Sequence, residues 1–224
     1  MANITSLLKG LVRNSDAVER PVSVSAKGSL FVVQSMPDYA QLVAEKRVWR
    51  ANETAATASV VALPTTAALF TVGNNEPDDG LWYVVIAAYG FNSANAVAID
   101  NFALAGCISQ QRALTGGIDV TLARDIAAGT GVVNQLGGSI VYSGNAILDA
   151  GVTITDDRWF PLGMNSGSTA VNSATGGAVF NWLHGLVILP PKTLFGMVST
   201  ATSTSNTTRK GLIWAEVPKS YLSV

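Results

Sequence analysis

From Trp49 onward, apolar and polar positions come in short runs broken by turn residues, at the spacing of an antiparallel β-sandwich or barrel. The strand-like runs are ASVVAL, AALFTVG, LWYVVIAAYGF, VAIDNFALAGCI, GGIDVTL, SIVYSG, GVTI, AVFNWLHGLVIL, LFGMVSTAT and GLIWAEV. They are interrupted at Leu63-Pro64, Asn74 to Gly80, Gly116-Gly117, Gly137-Gly138, Gly176-Gly177 and Pro190-Pro191, where Gly and Pro leave or turn a ladder. The first 50 residues read differently. Leu7, Leu8, Leu11 and Val12 fall at helical spacing, PVSVSAKGSLFVVQ alternates, and DYAQLVAEKR carries mixed charge after Pro37. The pattern predicts an N-terminal arm over residues 1–50, with a short helix and an extended segment, and an all-β antiparallel sandwich of jelly-roll type over 51–224.

One run stands apart. In LWYVVIAAYGF, strict alternation puts Leu81, Tyr83, Val85, Ala87 and Tyr89 on one side and Trp82, Val84, Ile86 and Ala88 on the other, so both faces are apolar. An ordinary two-layer sandwich wets the outer face of each sheet. The second cover must come from the arm, a long loop or a neighbouring subunit, and the last predicts a homo-oligomer with Trp82, Tyr83, Val85 and Ile86 at its interface. NSGSTAVNSATGG and STATSTSNTTRK read as long loops, because small polar side chains bury too little area to offset backbone ordering.

Composition narrows the function. Fourteen Lys plus Arg against fifteen Asp plus Glu leave a net charge of −1, so no bulk field attracts nucleic acid or an anionic membrane surface. The charge-free stretch from Trp159 to Pro191 is interrupted by Gly, Ser, Asn and Thr and does not read as a membrane helix. The single Cys107 forms no intrachain disulfide, which fits cytosolic synthesis, and no segment reads as a signal peptide.

Candidate chemistry is sparse. His184 lies in FNWLHGLVIL on the face of Phe180, Trp182, Leu186 and Ile188 with no carboxylate nearby, which predicts a core or interface imidazole rather than a general base. Cys107, among small apolar residues, reads as an inert thiol, and one Cys with one His falls short of a zinc site. Glu76-Pro77-Asp78-Asp79-Gly80 reads as a turn with solvated acids, and neither it nor Asp156-Asp157-Arg158 has calcium-loop spacing. The mid-strand acids Asp100, Asp119 and Glu216 are the chief exceptions, Glu216 being expected to pair with a cation or lie on a strand edge. Of Trp49, Trp82, Trp159, Trp182 and Trp214, only Trp159 has the polar surroundings of an exposed sugar platform, and the other four, in apolar runs, read as core or interface anchors. The expectation is a protein with no catalytic centre, no metal and no cofactor.

The string RVWRANETAATASVVALPTTAALFTVGNNEPDDG, together with the terminal KGLIWAEVP, resembles tailed-bacteriophage virion proteins of the decoration, cement or head-fibre kind. What the resemblance implies is a capsid-gripping arm joined to a compact jelly-roll domain, often trimeric, located in the virion and partnered by the major capsid protein or another virion protein. The corresponding function is structural. Two alternatives are a carbohydrate- or receptor-binding sandwich of a fibre or tail and, more remotely, an enzyme acting on surface polysaccharide.

Overall fold

The computed structural model describes residues 39–53, 55–63, 67–92, 102–109, 132–137, 140, 142–149, 152–154, 158–165, 177–202 and 204–222. Two compact units, Met1–Gln41 and Leu42–Val224, make up the chain. Leu7, Leu8, Leu11 and Val12, with nearly all of the predicted arm, lie outside the described residues, as do Asp100, Asp119 and Asp156-Asp157.

The chain runs through α1 (Ala40–Ala44), β1 (Val48–Asn52), β2 (Thr57–Ala58), β3 (Ala67–Ala68), β4 (Phe70–Asn74), β5 (Trp82–Asn92), β6 (Phe102–Ser109) and β7 (Val133–Asn134). It continues through β8 (Ala146–Asp149), β9 (Val152–Thr153), β10 (Trp159–Asn165), β11 (Ala178–Leu189), β12 (Leu194–Ala201) and β13 (Thr207–Val217). Two antiparallel sheets pack against each other, giving the all-β sandwich expected from the alternating runs. One sheet has the order β11-β5-β13-β1-β7, with β2 beside β13, and the other β10-β6-β12-β4-β8. Strand β1 begins at Val48, three residues before the predicted start of the sandwich.

The inward faces supply the core. Trp49, Tyr83, Val85, Leu212 and Trp214 from the first sheet meet Phe70, Val72, Phe102, Leu104, Phe195 and Met197 from the second. A buried aliphatic or aromatic side chain of this kind contributes roughly 1.5–3 kcal/mol before ordering costs. A second cluster of Ala68, Cys107, Ile154 and Leu194, with Trp159 packed on it, closes the far side of β6 and β12.

The strict alternation expected along β5 breaks at Ile86. Trp214 pairs with Val85 but Ile213 pairs with Ala87, so one residue of β5 is extra and the parity reverses. Tyr83 and Val85 point to the core before the bulge and Ala88 after it, which turns Ala87 and Tyr89 to the outside.

The segment STATSTSNTTRK is also not the long loop its composition predicted. It forms the end of β12 and the start of β13, and Ser199 and Thr208 are fully buried. Their hydroxyls satisfy one another: Thr208 Oγ1 donates to Ser199 Oγ at 2.6 Å, and Ser59 Oγ lies 2.9 Å from the same atom.

The two sides of the sandwich differ. Beyond β1 and β4 the short strands β7 and β8 extend the sheets, whereas among the described residues β11 and β10 end them on the other side. Both end strands are irregular. The register of β10 shifts between Pro161 and Gly163, and in β11 four residues, 183–186, span the gap that only Ile86 fills in β5. His184 (φ 47°) and Gly185 (φ 81°) make that turn in the left-handed region. Proline and bulges of this kind discourage edge-to-edge pairing of strands.

Candidate functional site

The outer face of β11 and its neighbours carries a row of rings. Because β11 alternates without loss of parity, Val179, Leu183, Val187 and Leu189 enter the core while Phe180, Trp182, His184 and Leu186 face out. Phe180 pairs across to Tyr89 and Trp182 to Ala87. The ring centroids are 6.0 Å apart for Tyr89 and Phe180 (planes 13° apart), 5.0 Å for Phe180 and Trp182 (edge-on), and 5.8 Å for Trp182 and His184 (stacked). Trp182 remains 55 %, Phe180 51 % and Leu186 81 % exposed, an unusual cost for large apolar side chains on a lone molecule.

The row continues inward across the sheet. The ring of Tyr89 lies over Gly211 of β13, where an added Cβ would come within 2.3 Å of its Cζ, so only glycine lets the ring settle there. Burial raises the Tyr89 pKa, offset in part by the Arg50 charge nearby, and the phenol stays neutral. Arg50, Asn52, Tyr89, Phe91, Phe180 and Ile213 line an open depression of about 390 Å³, a predominantly apolar surface with two polar groups at its margin.

Of the predicted interface residues, Tyr83 and Val85 are fully buried and Ile86 is 2 % exposed in the single chain. Their cover is supplied without a neighbouring subunit. Trp82 is half-buried, with the Lys219 ammonium 5.5 Å from its ring centroid. The surface this sheet leaves open is instead that of Phe180, Trp182 and Leu186. Sequence reasoning placed Trp182 among core or interface anchors and chose Trp159 as the exposed ring. Trp159 is half-buried against the Cys107 cluster, and Trp182 is the most open of the five tryptophans. His184 is likewise exposed, so it is no core imidazole, although it shares the expected face with Trp182. Cys107 is fully buried.

Two buried acids have partners that the sequence hid. Among the described residues the Glu216 carboxyl pairs with no cation, and β13 lies inside its sheet rather than at an edge. Its Oε1 accepts the Tyr142 hydroxyl at 2.5 Å and the Trp214 indole N–H at 3.0 Å. Burial pushes Glu216 up to about 7, against the pull of those two donors. Burial also raises the Tyr142 and Tyr83 pKa values, and the Glu216 charge adds to both. Glu76, expected to be solvated, is 7 % exposed beneath a turn in which Gly80 N–H donates to Pro77 O.

The second acid is Glu53, which follows β1 directly. Its Oε2 accepts the backbone N–H of Lys210 at 2.6 Å and lies 3.2 Å from Lys210 Nζ, while its Oε1 accepts Thr57 Oγ1 at 2.9 Å. Nζ also donates to Thr57 Oγ1 at 2.7 Å and Thr208 Oγ1 at 3.1 Å. The Lys210 side chain has no exposure and that of Glu53 only 6 %.

Comparison with protein-family models, with curated protein sequences and with solved structures finds no match to this chain.

Proposed function

We propose that this chain is a structural protein of a virus particle, a sandwich that associates with its own copies and with a neighbouring shell protein through the outer aromatic face of β11, β5 and β13. The observation that carries this reading is the row Phe180-Trp182-Leu186, exposed on the side of the sandwich where, among the described residues, neither sheet is extended by a short capping strand. The bulge at His184-Gly185 and Pro161 in β10 blunt the strand edges, so contact through the face is favoured over edge pairing. Rings of this size dominate protein interfaces when they are desolvated.

Strand order supports the architectural part of the proposal. Without the short strands, the sheets read β1-β13-β5-β11 and β4-β12-β6-β10, and the chain crosses between them at each step from β4 to β6 and from β10 to β13. That order is the ground for proposing a jelly roll, an architecture used by viral capsid and lectin domains alike. Architecture alone does not choose between those uses. In the structural reading the assembly is a trimer, the location is the virion, and the segment with Leu7, Leu8, Leu11 and Val12 grips the shell. Co-sedimentation of the purified chain with particles that lack it tests this. Retention on the particles supports the reading, and failure to bind while the chain remains folded overturns it.

A second reading has its own observation. The Tyr89 ring over Gly211, nearly parallel to Phe180 and bordered by Arg50 and Asn52, offers aromatic surface beside hydrogen-bonding groups, as a sugar ring requires. Saturable quenching of tryptophan emission by oligosaccharides, absent in Trp182→Ala, would favour it over assembly.

A further inference from the structure

We propose that Glu53 and Lys210 condense with each other to form an intramolecular amide that ties the end of β1 to β13. The inference is independent of the particle reading, since it rests on the geometry of this pair alone. The structure brings together an amine, a carboxyl group and a hydroxyl that bridges them. The nucleophile, Lys210 Nζ, is in contact with the carboxyl group it attacks, 3.2 Å from Oε2. Oε2 accepts the backbone N–H of Lys210 at 2.6 Å, a fixed donor aimed at the oxygen on which negative charge develops. Thr57 Oγ1 bridges the two reactants, accepting from Nζ at 2.7 Å and donating to Oε1 at 2.9 Å.

The atoms balance without a co-reactant. One ammonium proton passes through the Thr57 hydroxyl to Oε1, converting the ion pair into a neutral acid and amine. Nζ then adds to Cδ, a C–N bond forms, and the carbonyl electron pair moves onto Oε2 under the Lys210 N–H. A second proton follows the same hydroxyl relay from nitrogen to Oε1. The Cδ–Oε1 bond breaks, water leaves with Oε1, the carbonyl re-forms at Oε2, and the amide nitrogen keeps one hydrogen. No oxidation or reduction occurs.

Burial favours the reactive forms. It raises the Glu53 pKa and lowers that of Lys210, each toward the neutral species, although the opposite charge of the partner resists both shifts. Water that would reverse the reaction is kept away from a side chain with no exposure. When the amine of such a contact pair turns onto the carboxyl carbon, effective molarities for well-oriented groups on the order of 10⁵–10⁸ M apply. Thr208 Oγ1, 3.1 Å from Nζ, holds the amine in position.

The test is the intact mass of the full chain under denaturing conditions, followed by fragmentation of a protease digest. The expected result is a chain lighter than its sequence mass by one water molecule, with a branched peptide joining Glu53 to Lys210, and full sequence mass for Lys210→Gln. Thr57→Val, which keeps the shape and removes the relay, should convert more slowly, giving a mixture of the two masses in freshly made protein. A wild-type chain that keeps its full sequence mass after prolonged incubation in the folded state overturns the proposal. So does a water loss that fragmentation places anywhere else.

Discussion

Tyr142 donates its phenolic proton to Glu216 at 2.5 Å, joining a loop to β13 across 74 positions of sequence inside the core. The same hydroxyl oxygen accepts the Ala146 backbone N–H at 2.9 Å, so one side chain satisfies both the acid and the start of β8. Tyr142→Phe removes both partners while keeping the ring that packs edge-on against Trp49 at 4.8 Å. The expected cost is about 1–3 kcal/mol, measured by urea unfolding at pH 7.

Glu216 makes stability depend on pH. Burial, opposed by Tyr142 and Trp214 and assisted by the Glu76 charge, lifts its pKa in the folded chain to about 7, above the 4.5 of an ordinary glutamate. The unfolded chain therefore releases this proton first. The contribution is fully present below about pH 4.5 and is lost as pH rises through about 7, amounting to about 3 kcal/mol at the alkaline end. Glu216→Gln should flatten this slope in unfolding free energies measured from pH 4.5 to 8. An unchanged slope would mean that the dependence arises elsewhere.

Gly211 and Tyr89 should be energetically coupled. A methyl group at 211 meets the Tyr89 ring, so Gly211→Ala is expected to cost about 1–3 kcal/mol and to displace the ring. In Tyr89→Ala the space is already vacant, and adding Gly211→Ala should then cost much less. A double-mutant cycle by thermal or urea unfolding measures the difference.

The bulge in β11 gives a backbone prediction. Gly185 at φ 81° occupies a conformation that costs an L-residue roughly 1–2 kcal/mol, so Gly185→Ala should destabilise by about that amount. The comparison is with Gly90→Ala on β5, where the obstacle is the Leu104 side chain at 3.0 Å rather than the dihedral. Restoring stability by trimming Leu104 should succeed at 90 and fail at 185.

Much of this architecture was legible because period-two patterning survives wherever a strand has one wet face or a continuous apolar run. The strand runs of β4, β5, β11, β12 and β13 were readable for that reason, and His184, Trp182 and Phe180 were correctly placed on one face of FNWLHGLVIL. The bulge at Ile86 was not, since a single extra residue in VVIAA reverses parity without any Gly or Pro to mark it. Exposure of Trp182 was hidden for a related reason, because an outward aromatic row has the same sequence pattern as a buried one. Glu216 looked anomalous but its partner, Tyr142, sits far away in sequence, and Glu53 and Lys210 are 157 positions apart. The polar run around Ser199 and Thr208 was misread because hydroxyls that satisfy each other can be buried, which composition does not reveal.

The central claim is that the outer aromatic face holds copies of the chain together, and sedimentation velocity tests it most directly. Wild-type protein should sediment at a multiple of the 23.3 kDa chain mass, with a trimer expected. The double variant Phe180→Asp, Trp182→Asp should sediment at the single-chain mass with an unchanged far-ultraviolet spectrum, since both rings lie outside the core. Wild-type protein that stays at 23.3 kDa up to high concentration, or a charged variant that assembles as well as wild type, would contradict the account.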